Sequence, residues 1–163
     1  MLVGHHALKI DLQQHLPSGK EILAIFRGED AYISPNWYPT KPIHHRHVPT
    51  WNYQVVHVYG TIHYQDDDKS KLAVVGKLTK KMEERTHGEN AWRMADAPKD
   101  YLNAMLANII AFRIEITRIL GKSKVSQNRE TVDFENVAKV LAERGSAHMA
   151  ERMNQISETR EEE

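Results

Sequence analysis

The residues best suited to chemistry lie together between positions 31 and 60. This stretch holds two of the three tryptophans, four of the six tyrosines and four of the six prolines. Surface loops are usually built from small polar residues, because exposed aromatic area costs free energy and favours aggregation. Each proline restricts its own backbone and that of the preceding residue, so the segment is predicted to form a stiff arm. A stiff aromatic arm is suited to forming one wall of a site for a flat ligand.

The same residue types also fit a structural role. Aromatic side chains serve packing more often than cofactor binding. The arm could therefore be a clamp whose tryptophans pack across the subunit or fill a core. Residue types alone leave both interpretations open.

A run of basic residues within the arm, His44-His45-Arg46-His47, raises the question of a metal site. His45 and His47 would point to the same side of an extended chain, but no carboxylate lies nearby in sequence to complete a set of ligands. A basic loop between two prolines explains the run without a metal, so no metal site is predicted. The sequence also shows no set of general base and nucleophile, and no catalytic residue is predicted.

The composition indicates one domain with a real core. The 163 residues contain 22 lysines and arginines, 22 aspartates and glutamates, and no cysteine. This balance lacks the basic surplus of proteins that grip nucleic acid through phosphates. Without cysteine there are no disulfides, thiol nucleophiles or cysteine-ligated metals. No apolar run reaches membrane-spanning length and no signal-peptide pattern opens the chain, so a cytoplasmic protein is expected.

Periodicity predicts an α+β domain over residues 1–145 and a polar, frayed tail over 146–163. Strands separated by helices of unequal length favour a mostly antiparallel, barrel-like sheet with flanking helices. The helix at 131–144 places Phe134, Val137, Ala138 and Leu141 at ideal spacing for a buried face. The tail has too few apolar residues to dock firmly. Strands are predicted at 2–8, 21–27, 55–64 and 110–119, and helices at 66–85, from Pro98 onward and at 131–144.

Several blocks in sequence resemble a known family. They are Tyr32-Ile33-Ser34-Pro35, Trp37-Tyr38, Val48-Pro49-Thr50-Trp51-Asn52-Tyr53, His57 with Tyr59-Gly60, Trp92 with Asp96-Ala97-Pro98, Gly121-Lys122 with Lys124, and Ser126-Gln127-Asn128. Their order resembles that in the PaiB-like family of FMN-binding negative transcriptional regulators, over roughly residues 2–141. Several blocks in order are far more specific than one short motif.

The resemblance implies a split β-barrel of the FMN-binding type and a site for FMN. Such a site needs a flat apolar wall, hydrogen-bond partners for the ring edge, and cations or backbone amides for the phosphate. The arm and the polar loop at 121–129 supply all three types. The residues of the wall would be Trp37, Tyr38, Trp51 and Tyr53. The hydrogen-bond partners of the ring edge would be Ser34, Thr50, Asn52 and Gln127. The cations for the phosphate would be Lys41, Arg46, Lys122, Lys124 and Arg129, with Asn128 in the same donor-rich loop.

The amino end departs from the family pattern. Gly4, His5 and Ala7 match, but Leu8 and Ile10 stand where the family has arginine and asparagine. This corner resembles a cofactor-phosphate corner of related split barrels, and the two departures put phosphate binding there in doubt. The family also has a helix and a strand hairpin ahead of this point, and the chain is expected to be short by those elements.

Three functions are compatible with these observations. The first is a homodimeric FMN-binding regulatory protein, because a protruding aromatic segment must be buried somewhere and a twofold partner is the commonest solution. The second is a flavin-dependent oxidoreductase of the split-barrel class, and the third a structural remnant that no longer binds flavin. Regulation could involve DNA or another regulatory partner, but the glutamate-rich tail argues against a helix-turn-helix over residues 134–156.

Overall fold

A computed structural model describes residues 1–160 of the chain. Four strands and six α-helices follow one another, with single 3₁₀ turns at Pro35–Trp37, Gly88–Asn90 and Met94–Asp96. The elements are β1 (Leu2–Ala7), α1 (Leu12–His15), β2 (Glu21–Ile33), α2 (Lys41–His44), β3 (Thr50–Gln65), α3 (Asp68–His87), α4 (Lys99–Leu106), β4 (Ile109–Lys124), α5 (Thr131–Glu143) and α6 (Ala147–Arg160). No helix among these residues is long and apolar enough to cross a membrane.

The strands form one sheet in the order β1-β4-β3-β2. β1 pairs antiparallel with β4, from Leu2 opposite Ile114 to Ala7 opposite Ile109. The chain divides into two compact units, and β2, β3 and β4 each run from one unit into the other. Unit 1 contains residues 1–24 and 58–118, and unit 2 contains residues 25–57 and 119 onward.

The core of unit 1 is built on alternating strand residues. Val58 and Ile62 of β3 are buried, as are Ile110 and Ile114 of β4. This is the period-2 pattern from which both strands are predicted. Gly60 lies where β3 approaches β4 closely, since an added Cβ would stand 2.7 Å from Cγ2 of Ile114.

Helix α3 begins at an acidic cap. The Asp67 side chain accepts the Ser70 amide at 2.9 Å, and hydrogen bonds with the Ser70 side chain and with this amide, in that order, lower the pKa of the Asp67 carboxyl. The buried residues of α3 are Lys71 and Val74, whereas Leu72, Leu78 and Met82 are about half exposed. Lys71 is buried beside Asp66, with 2.6 Å between Nζ and Oδ1.

The core of unit 2 joins the end of β2 to the two last helices. Ile33 packs with Phe134, Val137, Ala138 and Leu141, which are buried as the helical spacing of α5 predicts. Met149, Ala150 and Met153 of α6 complete the cluster. This cluster places the arm against α5, because Tyr38 belongs to it and Trp37 packs on its edge.

The segment from residue 146 differs from the predicted frayed tail. It forms α6, whose Met149 and Met153 are 1% and 0% exposed. Methionines four residues apart lie on one helix face, and two such side chains are enough to place the helix against α5. The end of the predicted tail, residues 161–163, lies outside the described residues.

Candidate functional site

The aromatic arm forms a cleft in unit 2. Its volume is about 390 Å³. Strands β2 and β3 line it with both apolar and polar side chains, namely Arg27, Gly28, Asp30, Trp51, Tyr53, Gln54 and Val55. Cofactor and ligand pockets share this composition, an apolar wall with a few polar groups that set orientation. Its volume is near the lower end of the usual range of about 300–1,000 Å³.

Trp51 is the most exposed aromatic side chain of the cleft. Its exposed fraction is 54%, and the Tyr32 ring meets it edge-on at 6.0 Å between centroids. Tyr53 lies two residues further along β3 and is half-buried. An exposed indole beside a second ring provides a flat surface on which a planar ligand can stack.

Gly28 lines the cleft where β2 passes close to Gln54 of β3. A Cβ at this position would stand 3.3 Å from Cβ of Gln54, which is tighter than ordinary van der Waals contact. At the mouth, Arg27 donates to Asp30 Oδ2 at 2.5 Å, and the Arg27 side chain is 72% exposed. The cleft therefore offers an open surface, a guanidinium and a carboxylate.

The ammonium group of Lys124 is held in place next to the stacking surface. Its Nζ donates to Thr50 Oγ1 at 2.6 Å and to the Trp51 carbonyl at 2.9 Å. Gln54 donates to Ser123 Oγ at 3.2 Å, so β3 and β4 are joined by side chains at this end. The structure thus brings together Thr50, Trp51, Tyr53 and Lys124 of the predicted site residues.

The loop after Lys124 is ordered by its own side chains. Gln127 accepts the Val125 amide at 2.9 Å and donates to the Ser123 carbonyl at 2.8 Å. Ser126 has a positive φ of 65°, a left-handed conformation that is costly outside glycine. It is held there by a 2.9 Å hydrogen bond to the buried Asn52 side chain. The polar groups of Asn52 and Gln127 are therefore engaged within the chain, whereas Lys122 and Asn128 are exposed.

The other half of the arm is held by a buried polar network. Asp133 of α5, 1% exposed, accepts the Thr40 amide at 3.1 Å and the Thr40 hydroxyl at 2.7 Å. His47 Nε2 lies 2.9 Å from Thr40 Oγ1, and Arg129 Nη1 lies 3.3 Å from His47 Nδ1. The Thr40 hydroxyl gives its only proton to Asp133, so it accepts from His47 Nε2, and Nδ1 accepts from Arg129. This arrangement uses the neutral imidazole.

Tyr38 and Trp37 lie against this network rather than in the cleft. Tyr38 is 2% exposed, its ring stacks on His47 at 4.6 Å, and its hydroxyl is buried without a hydrogen-bond partner among the described residues. Trp37 is half-buried, and the Arg144 guanidinium lies 5.1 Å from its ring centroid. Two of the four predicted wall residues therefore pack in the core cluster of unit 2.

The remaining predicted residues lie along the arm. Ser34 accepts the Asn36 amide at 3.2 Å and caps the following 3₁₀ turn. Lys41 donates to the Asn36 side chain, and Arg46 is exposed. Among the residues that the structure describes, no group of three or more histidine, aspartate or glutamate side chains could hold a metal ion.

Sequence reasoning missed the β2 side of the cleft. Arg27, Gly28 and Asp30 line it, but β2 is predicted to end at residue 27 and runs to Ile33. The longer strand can be recognised from the period of two that Glu29, Ala31 and Ile33 follow. In the structure these three residues become increasingly buried along one face of β2. At the amino end, Leu8 and Ile10 are about half exposed.

This fold and its sequence family define an α+β split barrel, mostly antiparallel and flanked by helices. Residues 1–118 match the family model described as "Putative FMN-binding domain". The match covers well over half of the chain, and the chain belongs to this family, as the resemblance to PaiB-like proteins indicated. The whole arm lies inside the match, whereas the loop at 121–129 lies beyond it.

The chain is also similar to individual proteins of bacteria and fungi. The chain is 31% identical to the Protease synthase and sporulation protein PAI 2 of Bacillus subtilis over 141 residues, covering 86% of this chain and 64% of the relative. An uncharacterized protein of Emericella nidulans is 34% identical over 150 residues, covering 77% of this chain and 59% of the relative. An uncharacterized protein of Saccharomyces cerevisiae is 42% identical over 91 residues, covering 55% of this chain and 54% of the relative. The chain thus spans about three fifths of the length of the first relatives, 59% and 64%.

Proposed function

We propose that this protein is a cytoplasmic, homodimeric regulatory protein that binds FMN in the unit 2 cleft. The observation that carries the proposal is the juxtaposition at one end of β3 of an exposed indole, a half-buried phenol and a fixed ammonium group. Trp51 and Tyr53 supply the stacking surface, and Lys124 is tied to the backbone of Trp51 itself. Family membership supports FMN as the planar ligand.

The residues of the cleft fit the chemical parts of this cofactor. The isoalloxazine ring would stack on Trp51 and Tyr53, beside Gly28. Gln54 and Thr50 would meet the polar edge of the ring or the ribitol. Lys124, Lys122 and Arg27 supply positive charge for the phosphate. Bound flavin supplies hydride and one-electron chemistry.

The remaining predicted site residues act on this cleft indirectly in our proposal. Asn52 and Gln127 hold the loop that carries Lys122 and Asn128, and Ser34 caps the turn that opens the arm. Trp37 and Tyr38 attach the arm to α5. Lys41 begins α2 and Arg46 follows this helix, and both add to the positive charge of the arm.

A second copy of the chain is the proposed partner. Seven large apolar side chains of unit 2 on the neighbouring strands β2, β3 and β4 are between 39% and 56% exposed: Ile25, Phe26, Tyr32, Trp51, Val56, Ile119 and Leu120. Exposed apolar area of this extent on adjacent strands is typical of an interface. A dimer would cover these side chains and enclose the cleft, which one chain leaves open.

A regulatory role is favoured over catalysis because the cleft contains no set of general base and nucleophile. The Bacillus subtilis relative is named for protease synthase and sporulation. We infer a similar kind of role, in which the flavin-loaded dimer affects gene expression. Contact with DNA is not part of the proposal, since the surface of α6 carries Glu151 and the chain has no net positive charge.

The decisive experiment is a visible spectrum with mass analysis of the small molecule that the folded, purified protein carries. We expect flavin absorbance and the mass of FMN, and a colourless protein that does not take up added FMN would overturn the proposal. Rapid reduction of the bound flavin by a nicotinamide cofactor would favour an oxidoreductase instead of a regulator.

The variant Trp51→Ala tests the location of the site. Loss of the indole should lower FMN affinity by about tenfold or more, because aromatic stacking contributes on the order of 1–3 kcal/mol per ring. Trp92→Ala is the matched control, since Trp92 is a similarly exposed indole in unit 1. Fluorescence titration with FMN measures both affinities. Equal affinities in the two variants would contradict the proposed site.

A further inference from the structure

A second cleft lies in unit 1, between the carboxyl-terminal half of α3 and the segment that follows it. Its volume is about 780 Å³, which is well within the range of small-molecule sites. None of its lining residues belongs to the FMN cleft, and the proposed function makes no use of it. We call it the α3 cleft.

The walls of the α3 cleft are largely apolar. Trp92 and Met94 line it together with Ala91, and Gly76 of α3 leaves room at its base. A Cβ on Gly76 would stand 3.3 Å from the Met94 sulfur, so a larger side chain there would enter the cleft. The Trp92 indole is 42% exposed and provides a flat surface for a ring.

The position of Trp92 is fixed from α3. Glu83 accepts the Trp92 amide at 3.1 Å, and the same carboxylate oxygen lies 3.1 Å from His87 Nδ1. Asp96 accepts the Arg93 amide at 2.8 Å and holds the next turn. The wall of the cleft is therefore anchored through two consecutive amides, those of Trp92 and Arg93.

Both positively and negatively charged side chains line the α3 cleft. Lys80 and Glu84 form a loose pair, with 3.7 Å between Nζ and Oε1. Arg93 and Glu89 also line the cleft, and neither takes part in an ion pair within residues 1–160. One guanidinium and one carboxylate thus remain available beside an exposed indole.

We propose that the α3 cleft binds a small zwitterionic aromatic molecule of the α-amino-acid class. The ring would stack on Trp92, the carboxylate would pair with Arg93, and the ammonium group would pair with Glu89. A zwitterion pairs with both of these exposed groups, whereas a ligand with only one charge pairs with one of them and gains the smaller part of the attraction. This reasoning is independent of the flavin proposal, because it uses only unit 1 residues.

The experiment is a calorimetric titration of the full-length protein with four related probes. They are L-tryptophan, tryptamine, indole-3-propionate and indole, which carry both charges, the positive charge, the negative charge and no charge. We expect L-tryptophan to bind about three- to fivefold more tightly than either singly charged probe, the factor of one exposed ion pair. Equal affinity for all four, or no L-tryptophan binding up to millimolar concentration, would overturn the proposal.

Three variants locate the site and its charges. Arg93→Gln should reduce the preference for L-tryptophan over tryptamine to about one, and Glu89→Gln should do the same for the preference over indole-3-propionate. Gly76→Leu should abolish binding by filling the base of the cleft, whereas Ala73→Leu, at an exposed α3 position that does not line it, should not. Thermal unfolding confirms that each variant is folded. Unchanged L-tryptophan affinity in folded Gly76→Leu would place the binding elsewhere and overturn the proposal.

Discussion

At the scale of single residues, the most informative side chains are those that the arm buries. Asp133 is a carboxyl group at 1% exposure, and it is tolerated there because the Thr40 amide and hydroxyl both donate to it. The polar groups of Asn52 and Ser126 satisfy each other in the same way. Tyr38 is the exception, with a buried hydroxyl that no described residue satisfies. Such contrasts allow polar contributions to stability to be separated experimentally.

We predict that Asp133→Ala lowers the free energy of unfolding by about 3 kcal/mol, because it leaves the buried Thr40 amide and hydroxyl without their acceptor. Tyr38→Phe is the matched control in the same cluster. It removes a hydroxyl without a partner and should change stability by less than about 1 kcal/mol. Urea unfolding at neutral pH measures both. A loss for Tyr38→Phe as large as that for Asp133→Ala would contradict this account.

At the scale of elements, helices α5 and α6 form the support on which the arm rests. The spacing of Phe134, Val137 and Leu141 predicts α5 because a strong 3.6-residue period survives in any context. The support from α6 is much harder to predict, since Met149, Ala150 and Met153 are few apolar residues in a polar segment. Their burial depends on α5 presenting a matching face.

Met153→Ala should therefore destabilise the protein by about 2–5 kcal/mol, as for other fully buried methionines truncated to alanine. Asn154→Ala is the control, because Asn154 is the exposed neighbour on the same helix. Thermal and urea unfolding measure the difference. If the two variants were equally stable, α6 would not be part of the cooperative core.

The start of α3 should make stability depend on pH in acid. The hydrogen bond from Ser70 lowers the pKa of the Asp67 carboxyl below its ordinary value of 3.8. A lowered pKa in the folded state means that the contribution is fully present above pH 3.8 and is lost as the pH falls through the lower, folded value. Asp67→Asn keeps a capping side chain but removes this titration.

We expect the Tm of the wild type to fall relative to that of Asp67→Asn as the pH is lowered from 5 towards about 2. If the Tm values of the two proteins changed in parallel across this pH range, the charge of Asp67 would contribute nothing to stability. Circular dichroism at 222 nm follows the transition in both.

At the scale of the whole molecule, the exposed apolar side chains of β2, β3 and β4 make self-association the central expectation. Ile119→Glu places a charge among them and should shift the equilibrium from dimer to monomer, because an unpaired charge is costly in an apolar interface. Leu72→Glu, a comparably exposed position on α3, is the control and should leave the dimer intact. Sedimentation at micromolar concentration distinguishes the two. A wild-type protein that sediments only as a monomer would contradict the dimer.

The sequence by itself determined the family, the fold class and the position of the aromatic arm. Ordered motifs and strong periodicities, such as those of β4 and α5, are local properties that do not depend on the rest of the fold. It could not distinguish Trp51, whose ring is exposed in the cleft, from Tyr38, whose ring is buried against His47, because both are aromatic residues in the same stretch. Nor could it reveal that Arg27, Gly28 and Asp30 face the cleft, since β2 was expected to end before them.

Only the tertiary structure decided those questions. The burial of a side chain depends on which partner surface reaches it, and for the arm that surface comes from α5 and α6, about a hundred residues further along the chain. Asp133 accepts a hydrogen bond from Thr40, and Met153 packs on the buried Asn52. With the arm held at these two points, Trp51 on β3 remains exposed and Lys124 lies beside it. Contacts between such distant residues are set by packing free energy, which no local pattern in the sequence encodes.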